Sequence, residues 1–207
     1  MIKRTLDIIL SLTSITILLP FFIIIGIIIR LDSNGPVIYK QIRTGKDGNL
    51  FKVYKLRTMV SEKSRDHIFT TPSDDPRITK IGGILRKFNL DELTQFVNVL
   101  KGEMSIVGPR PEIPQYTSLY SKEEKEILSL KPGITDLATL WIKDKGDIVL
   151  GSDDPEKIYI EEIRPEKIRL QLEYLHSQSL FLDVTIMIKT IKVHFIDRII
   201  NKDRKTN

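Results

Sequence analysis

A small mixed α/β (α+β) domain carried on an N-terminal membrane helix is the fold class this sequence predicts. Three observations predict it. Residues Ile8 to Ile29 form an uncharged run of 22 residues. Two strand-like segments are joined by a glycine-containing turn. A series of amphipathic helical segments then follows.

The apolar run is long enough, as one helix, to cross a bilayer core of roughly 30 Å. Its basic start at Lys3 and Arg4 resembles a signal peptide, but Arg30-Leu31-Asp32 follows where a small-residue cleavage pattern would be. Pro20 sits mid-run and separates arms Ile8–Leu19 and Phe21–Ile29, each about half a bilayer long. Ser11, Thr13, Ser14 and Thr16 could satisfy backbone groups freed by a break. Basic residues flank both ends. Seven Lys/Arg (Arg30, Lys40, Arg43, Lys46, Lys52, Lys55, Arg57) face only Asp32 and Asp47 over Arg30–Arg57. These residues leave two topologies open, a kinked spanning helix and a hairpin that enters and leaves on one face.

Pro36–Ile42 and Leu50–Met59 read as strands around the turn Gly45–Asn49. On the second, Lys55 and Arg57 share a face with Phe51 and Val53. Cations in that position line an anion site or lie at a membrane surface. Ser61–Pro76 reads as a polar loop. Arg77 and Lys80 precede a short helix ending near Lys87 and extend the same basic field. A helix is predicted from Asn89 to Lys101, with Asn89 and Glu92 as a capping box. Its stripe is Leu93, Phe96, Val97 and Leu100, and Gly102 stops it. Lys131-Pro132-Gly133 is a turn. Helices follow near Pro155–Glu162 and Pro165–His176. The last helix runs over about Leu180–Ile200, with Val184, Met187, Ile188, Ile191, Phe195 and Ile199 on one stripe.

The chain has 207 residues, no cysteine, and three separated histidines (His67, His176, His194). Disulfide frameworks, zinc–thiolate sites and cysteine nucleophiles are therefore excluded. Of several acidic doublets, Asp91-Glu92 stands out because it opens an amphipathic helix, where the helix dipole favours carboxylates. Such a carboxylate can act as nucleophile or bind a divalent cation. The competing reading is a cap on a solvated surface. Arg110, stiffened between Pro109 and Pro111, is suited to bidentate phosphate binding. The absence of G-x-x-x-x-G-K-[ST] argues against a nucleoside-triphosphate loop.

The block from Asn89 to Pro111 (NLDELTQFVNVLKGEMSIVGPRP) resembles the bacterial sugar transferases, the monotopic phosphoglycosyl transferases. Tyr54–Met59, Asp75–Gly82 and Lys131–Thr135 are similar to further motifs of that family, in the same order. The resemblance implies transfer of a phosphosugar from a nucleotide-diphosphate sugar, typically uridine-linked, to polyprenyl phosphate. It implies catalytic Asp91 (nucleophile) and Glu92, Mg²⁺ held by Asp91 and Glu92, and substrate-binding Arg110; the basic residues Lys55, Arg57 and Arg77 join them as substrate-binding candidates. It favours the re-entrant hairpin over the spanning helix. The implied organisation is a membrane hairpin over 1–30, a cytoplasmic catalytic domain over 31–200 and a tail over 201–207. The implied partners are both substrates and membrane lipids at the cytoplasmic face of the inner membrane. No nucleic acid is expected, and a homodimer is one option. The process would be the first membrane step of a glycoconjugate or polysaccharide pathway. The alternative is a non-enzymatic membrane-anchored protein that binds lipid or a partner. Four departures from the family pattern stand out: Leu19 before Pro20 where serine is common, Thr94 for proline, Asp136 for glycine and Gln171 for aspartate.

Overall fold

A computed structural model describes residues 2–60, 75–145 and 154–193. Most of the polar loop, His67, His194, the end of the last predicted helix and the tail lie outside them.

Helix α1 is Ile2–Asp32, 31 residues with Pro20 inside. The chain stays helical through Pro20, so the two expected arms form one continuous element. Most of its apolar side chains are exposed, from Ile8 and Ile9 through Ile17 to Ile27 and Ile28. Its two ends, by contrast, make contacts with the rest of the chain. At the start, Lys3 Nζ donates to Asp183 Oδ2 (2.6 Å) and to the Val107 carbonyl (2.9 Å). The Arg4 guanidinium donates to the carbonyls of Val99 and Leu100, and Asp7 accepts from the Ser105 hydroxyl and the Ile106 amide. At the far end, Ile25 and Ile29 pack with Leu56 and Leu85. Both ends of α1 are thus attached to the same body.

Strands β1 (Ile38–Thr44) and β2 (Leu50–Leu56) form the expected antiparallel hairpin, with register Ile38↔Leu56 to Thr44↔Leu50. Asp47 and Gly48 close the turn with φ of 56° and 79°. Helix α2 (Lys80–Lys87) starts at Thr79, whose hydroxyl accepts from the Gly82 amide.

The helix expected over Asn89–Lys101 is two pieces. Leu90–Gln95 is a 3₁₀ segment, and α3 is Phe96–Lys101. Asn89 is left-handed (φ 53°) and makes no side-chain cap, so the capping box does not form. The Glu92 carboxylate is drawn elsewhere.

Strands β3 (Ser105–Val107) and β4 (Gly133–Thr135) pair in parallel. A Cβ on Gly133 would lie 2.1 Å from the Gly108 nitrogen, so this crossing requires glycine. Helices α4 (Pro114–Thr117), α5 (Leu137–Lys145), α6 (Pro155–Ile158), α7 (Arg164–Ser177) and α8 (Leu180–Ile191) complete the order. A π-helical segment, Tyr159–Ile163, joins α6 to α7.

The main core gathers Val53, Val99, Met104, Ile106, Val107, Leu140, Tyr174 and Ile186. Helix α8 faces it with Ile186 and exposes Val184, Ile188 and Ile191 of the predicted stripe. Asp183 sets this rotation. It is buried and bound to Lys3 and to the Tyr174 hydroxyl (2.6 Å), which turns the stripe outward, to the surface that also carries α1.

Candidate active site

Two side chains fasten the Leu90–Gln95 segment and α3 to β2. The Asn98 amide, fully buried, donates to the Lys52 carbonyl (2.7 Å) and accepts from the Tyr54 amide (3.1 Å). The Thr94 hydroxyl donates to the Tyr54 carbonyl at 2.9 Å. Together they set Asp91 and Glu92 beside Lys55, the next residue of β2.

The two carboxylates have different surroundings. Glu92 Oε1 accepts from Lys55 Nζ at 2.9 Å, and Arg110 grips both oxygens with Nη1 and Nη2. Burial opposes ionisation of Glu92 most strongly. The nearby Arg110 and Lys55 cations outweigh it and hold the carboxyl well below the usual range. The Arg110 guanidinium is in turn raised, chiefly by the Glu92 charge. Asp91 is also buried but makes no ion pair among the described residues. Burial first, and then the adjacent Glu92 charge, push its carboxyl up, against the smaller pull of Lys55 and Arg86. The expected dipole-driven lowering is therefore overridden.

Of the sequence-predicted residues, the structure brings together Asp91, Glu92, Lys55 and Arg110. It places Arg57 elsewhere. That guanidinium is 7% exposed and donates to the carbonyls of Ile29 and Ser33 at the C-terminus of α1. Arg77 forks onto Asp75, with Nη2 2.7 Å from Oδ2. Sequence reading missed Arg86 on α2, whose charge reaches Asp91. It also missed a buried cluster behind the Pro109-Arg110-Pro111 loop. There Glu112 meets Lys167 and accepts from the Tyr159 hydroxyl, and Arg43 donates to the Pro111 carbonyl at 3.3 Å. Burial, together with Arg110, brings the Arg43 guanidinium down to about 10. The signal for this cluster was only a set of charged residues scattered between positions 43 and 167.

A divalent cation is tested by the donor set. No group of three or more His, Cys, Asp or Glu side chains that could hold a metal gathers among the described residues. Both Glu92 oxygens are taken by cations, so Glu92 does not share a metal in this arrangement. Asp91 remains, and Mg²⁺ commonly uses one or two carboxylates plus substrate phosphates and water. The residues present fit a Mg²⁺ that arrives with a phosphorylated substrate.

A helix that returns both ends to one body, next to carboxylates faced by fixed cations, suits chemistry on anions at a lipid surface. The sequence profile described as Bacterial sugar transferase matches residues 1–197, and the chain belongs to that family. It is 34% identical over 203 residues to a UDP-glucose:undecaprenyl-phosphate glucose-1-phosphate transferase of Escherichia coli (strain K12), covering 96% of this chain and 41% of that protein. A UDP-N-acetylgalactosamine-undecaprenyl-phosphate N-acetylgalactosaminephosphotransferase of Aeromonas hydrophila is 33% identical, over 92% of this chain and 43% of its own. The exopolysaccharide production protein PSS of Rhizobium leguminosarum bv. phaseoli is 37% identical, over 92% of this chain and 93% of its own. The chain thus spans about two fifths of the first two relatives and nearly the whole of the third.

Proposed function

We propose that this chain moves a sugar 1-phosphate from a UDP-sugar to polyprenyl phosphate through a phosphosugar bound covalently to Asp91. The carrying observation is the asymmetry of the acidic pair: Glu92 is locked by Arg110 and Lys55, while Asp91 beside it is uncommitted. The names of relatives support the substrate classes.

In the first step an Asp91 carboxylate oxygen bonds to the sugar-bearing phosphorus. The bond from that phosphorus to the bridging oxygen breaks, and UMP leaves with the electron pair. In the second step an oxygen of the lipid phosphate bonds to the same phosphorus and the carboxylate is released. The sugar ends on a lipid diphosphate. Arg110 and Lys55, fixed by Glu92, present positive charge to the equatorial phosphate oxygens. Bound Mg²⁺ would offset the diphosphate charge, with Asp91 as its protein ligand.

The attachment of α1 supports a re-entrant anchor, and the basic residues at both of its ends (Lys3, Arg4, Arg30) favour the cytoplasmic face. A crossing helix would separate Lys3 from Arg30 by a hydrocarbon core of roughly 30 Å. Here Lys3, Arg4 and Asp7 bind the body that also holds Ile29 through Arg57. The exposed apolar faces of α1 and α8 would lie in lipid.

The test is UMP release from a panel of UDP-sugars by the full chain in lipid nanodiscs containing undecaprenyl phosphate. At least one donor should turn over, and Asp91→Asn should reduce release to background. A binding protein would retain donor or lipid without release. Near-normal release by purified Asp91→Asn would remove Asp91 as nucleophile.

A further inference from the structure

The backbone of the loop that carries Arg110 is tied on both sides. The Gly108 amide donates to the Thr135 carbonyl (3.1 Å), and the Pro109 carbonyl accepts from the Gly133 amide (3.0 Å). Arg43 binds the Pro111 carbonyl, and the Thr44 amide donates to the Glu112 carbonyl (2.8 Å). The two backbone groups of Arg110 itself are met by side chains from distant parts of the chain. Its amide donates to Asp136 Oδ2 at 2.9 Å, and its carbonyl accepts from Gln171 Nε2 at 3.4 Å. Gln171 Nε2 also donates to Asp136 Oδ2 at 3.0 Å, so the two side chains close a ring around one residue. The other Asp136 oxygen accepts from the Thr139 amide at 2.6 Å, which fixes the carboxylate to the start of α5.

Core packing does not account for these residues. Asp136 is 0% and Gln171 1% exposed. Asp136 makes no ion pair among the described residues, and a buried carboxylate satisfied only by neutral donors carries a desolvation cost. Gln171 Oε1 is buried with no hydrogen-bond partner, a further cost that a leucine would avoid. What both residues achieve is contact with Arg110. The two positions are also the two departures that the sequence shows at 136 and 171, and the fold places them against each other.

We propose that Asp136 and Gln171 are positioning residues for Arg110, clamping its backbone so that the guanidinium fork meets Glu92 and the donor diphosphate. The diphosphate part rests on the function proposed above. Held this way, the fork is organised before substrate arrives. A clamp of this kind acts on the chemical step more than on donor affinity, because small misplacements of a catalytic fork cost up to about a hundredfold in rate.

The test uses the full chain in nanodiscs with Asp136→Asn and Gln171→Leu. Asp136→Asn turns an amide N–H₂ toward donors that needed an oxygen. Gln171→Leu keeps the volume and removes the donor. Two readouts are taken. Hydrogen exchange across residues 108–113 should speed up in both variants, while exchange in the β1–β2 hairpin stays unchanged. With whichever of UDP-glucose and UDP-N-acetylgalactosamine turns over, kcat should fall about tenfold or more and the donor KM should stay within about threefold. Unchanged exchange at Arg110 would overturn the clamp, as would lost protection with kcat within about twofold of the parent. A parallel fall in kcat and rise in KM with a collapsed melting transition would reduce the pair to a structural role. Should one variant not fold, the other decides. Should Asp91→Asn retain UMP release, the functional reading falls by itself, and the exchange measurement still decides whether the clamp exists.

Discussion

Lys55 in β2 and Arg57, the first residue after that strand, lie two residues apart and serve different regions of the molecule. Lys55 turns to Glu92 and joins the candidate site. Arg57 turns to the last carbonyls of α1 and joins the anchor. The two regions are built on opposite principles. Around Glu92, charged side chains are buried against one another and their number is small. Along α1, apolar side chains are exposed in quantity, and the polar contacts described above to the rest of the chain come from its two ends. A buried charge network beside an uncommitted carboxylate suits the handling of a charged substrate, and an exposed apolar helix suits a surface that lipid covers. Strand β2 and the residue that follows it supply one cation to each region, so this segment couples the position of α1 to that of the site.

The largest expected effect is on the site side. Arg110→Leu leaves the Glu92 carboxylate buried with Lys55 alone, and UMP release should drop by about two to three orders of magnitude. The pH dependence of the Glu92 contribution to stability should reverse in sign. In the parent, Glu92 has a depressed carboxyl, so its contribution is present above the unfolded value of about 4.3 and is lost as pH falls through the lower folded value. With the guanidinium gone, burial dominates and the folded carboxyl rises. The variant should then lose stability as pH rises above about 4.3. Thermal unfolding in nanodiscs at acidic and neutral pH reads this. A variant whose pH response matched the parent would break the claim that Arg110 holds Glu92 ionised.

Arg110→Lys should have a smaller effect, on the order of tenfold to a hundredfold in transfer, because charge is kept and the fork is lost. Equal activity would mean that only charge matters at residue 110.

The anchor side gives the next effect. Arg57→Leu removes the bonds to Ile29 and Ser33 and should cost about 2 kcal/mol of stability. The donor KM should stay near the parent value, since Arg57 touches no group of the site. A selective rise in donor KM with unchanged stability would move Arg57 back into the substrate site, where its sequence position alone had put it.

The smallest expected effect is on activity and the clearest on topology. The chain has no cysteine, so Ile2→Cys and Asn34→Cys each give a single label site. Both should be labelled from the cytoplasmic side only, with transfer nearly unchanged. Labelling from opposite sides would contradict the re-entrant anchor and leave the chemistry intact.

The parts legible in the sequence were those with a strong local signal. The uncharged run gave α1, alternation and a glycine turn gave the hairpin, and the Asp91-Glu92 and Pro-Arg-Pro patterns gave three of the four central side chains. The parallel pair β3–β4 escaped because strands of three residues show no period. The break between Leu90–Gln95 and α3 escaped because a 3₁₀ turn and an α-turn share the same apolar spacing over six residues. Which residues of α8 meet the core was not legible, because Val184, Ile188 and Ile191 are as apolar as Ile186. The buried Asp183, held by Lys3 from the other end of the chain, decides it. Contacts such as Asp136 with Gln171 or Glu112 with Lys167 join residues 35 and 55 positions apart, and a single sequence carries no mark of such pairs.

The central claim, that Asp91 becomes covalently linked, is tested most directly by intact mass spectrometry of the enzyme given a turning-over UDP-sugar and no lipid acceptor. The account predicts an added mass of one phosphosugar, mapped to Asp91, absent in Asp91→Asn and discharged when undecaprenyl phosphate is added. UMP release and lipid product without any such adduct, or an adduct on another residue that persists in Asp91→Asn, would contradict it.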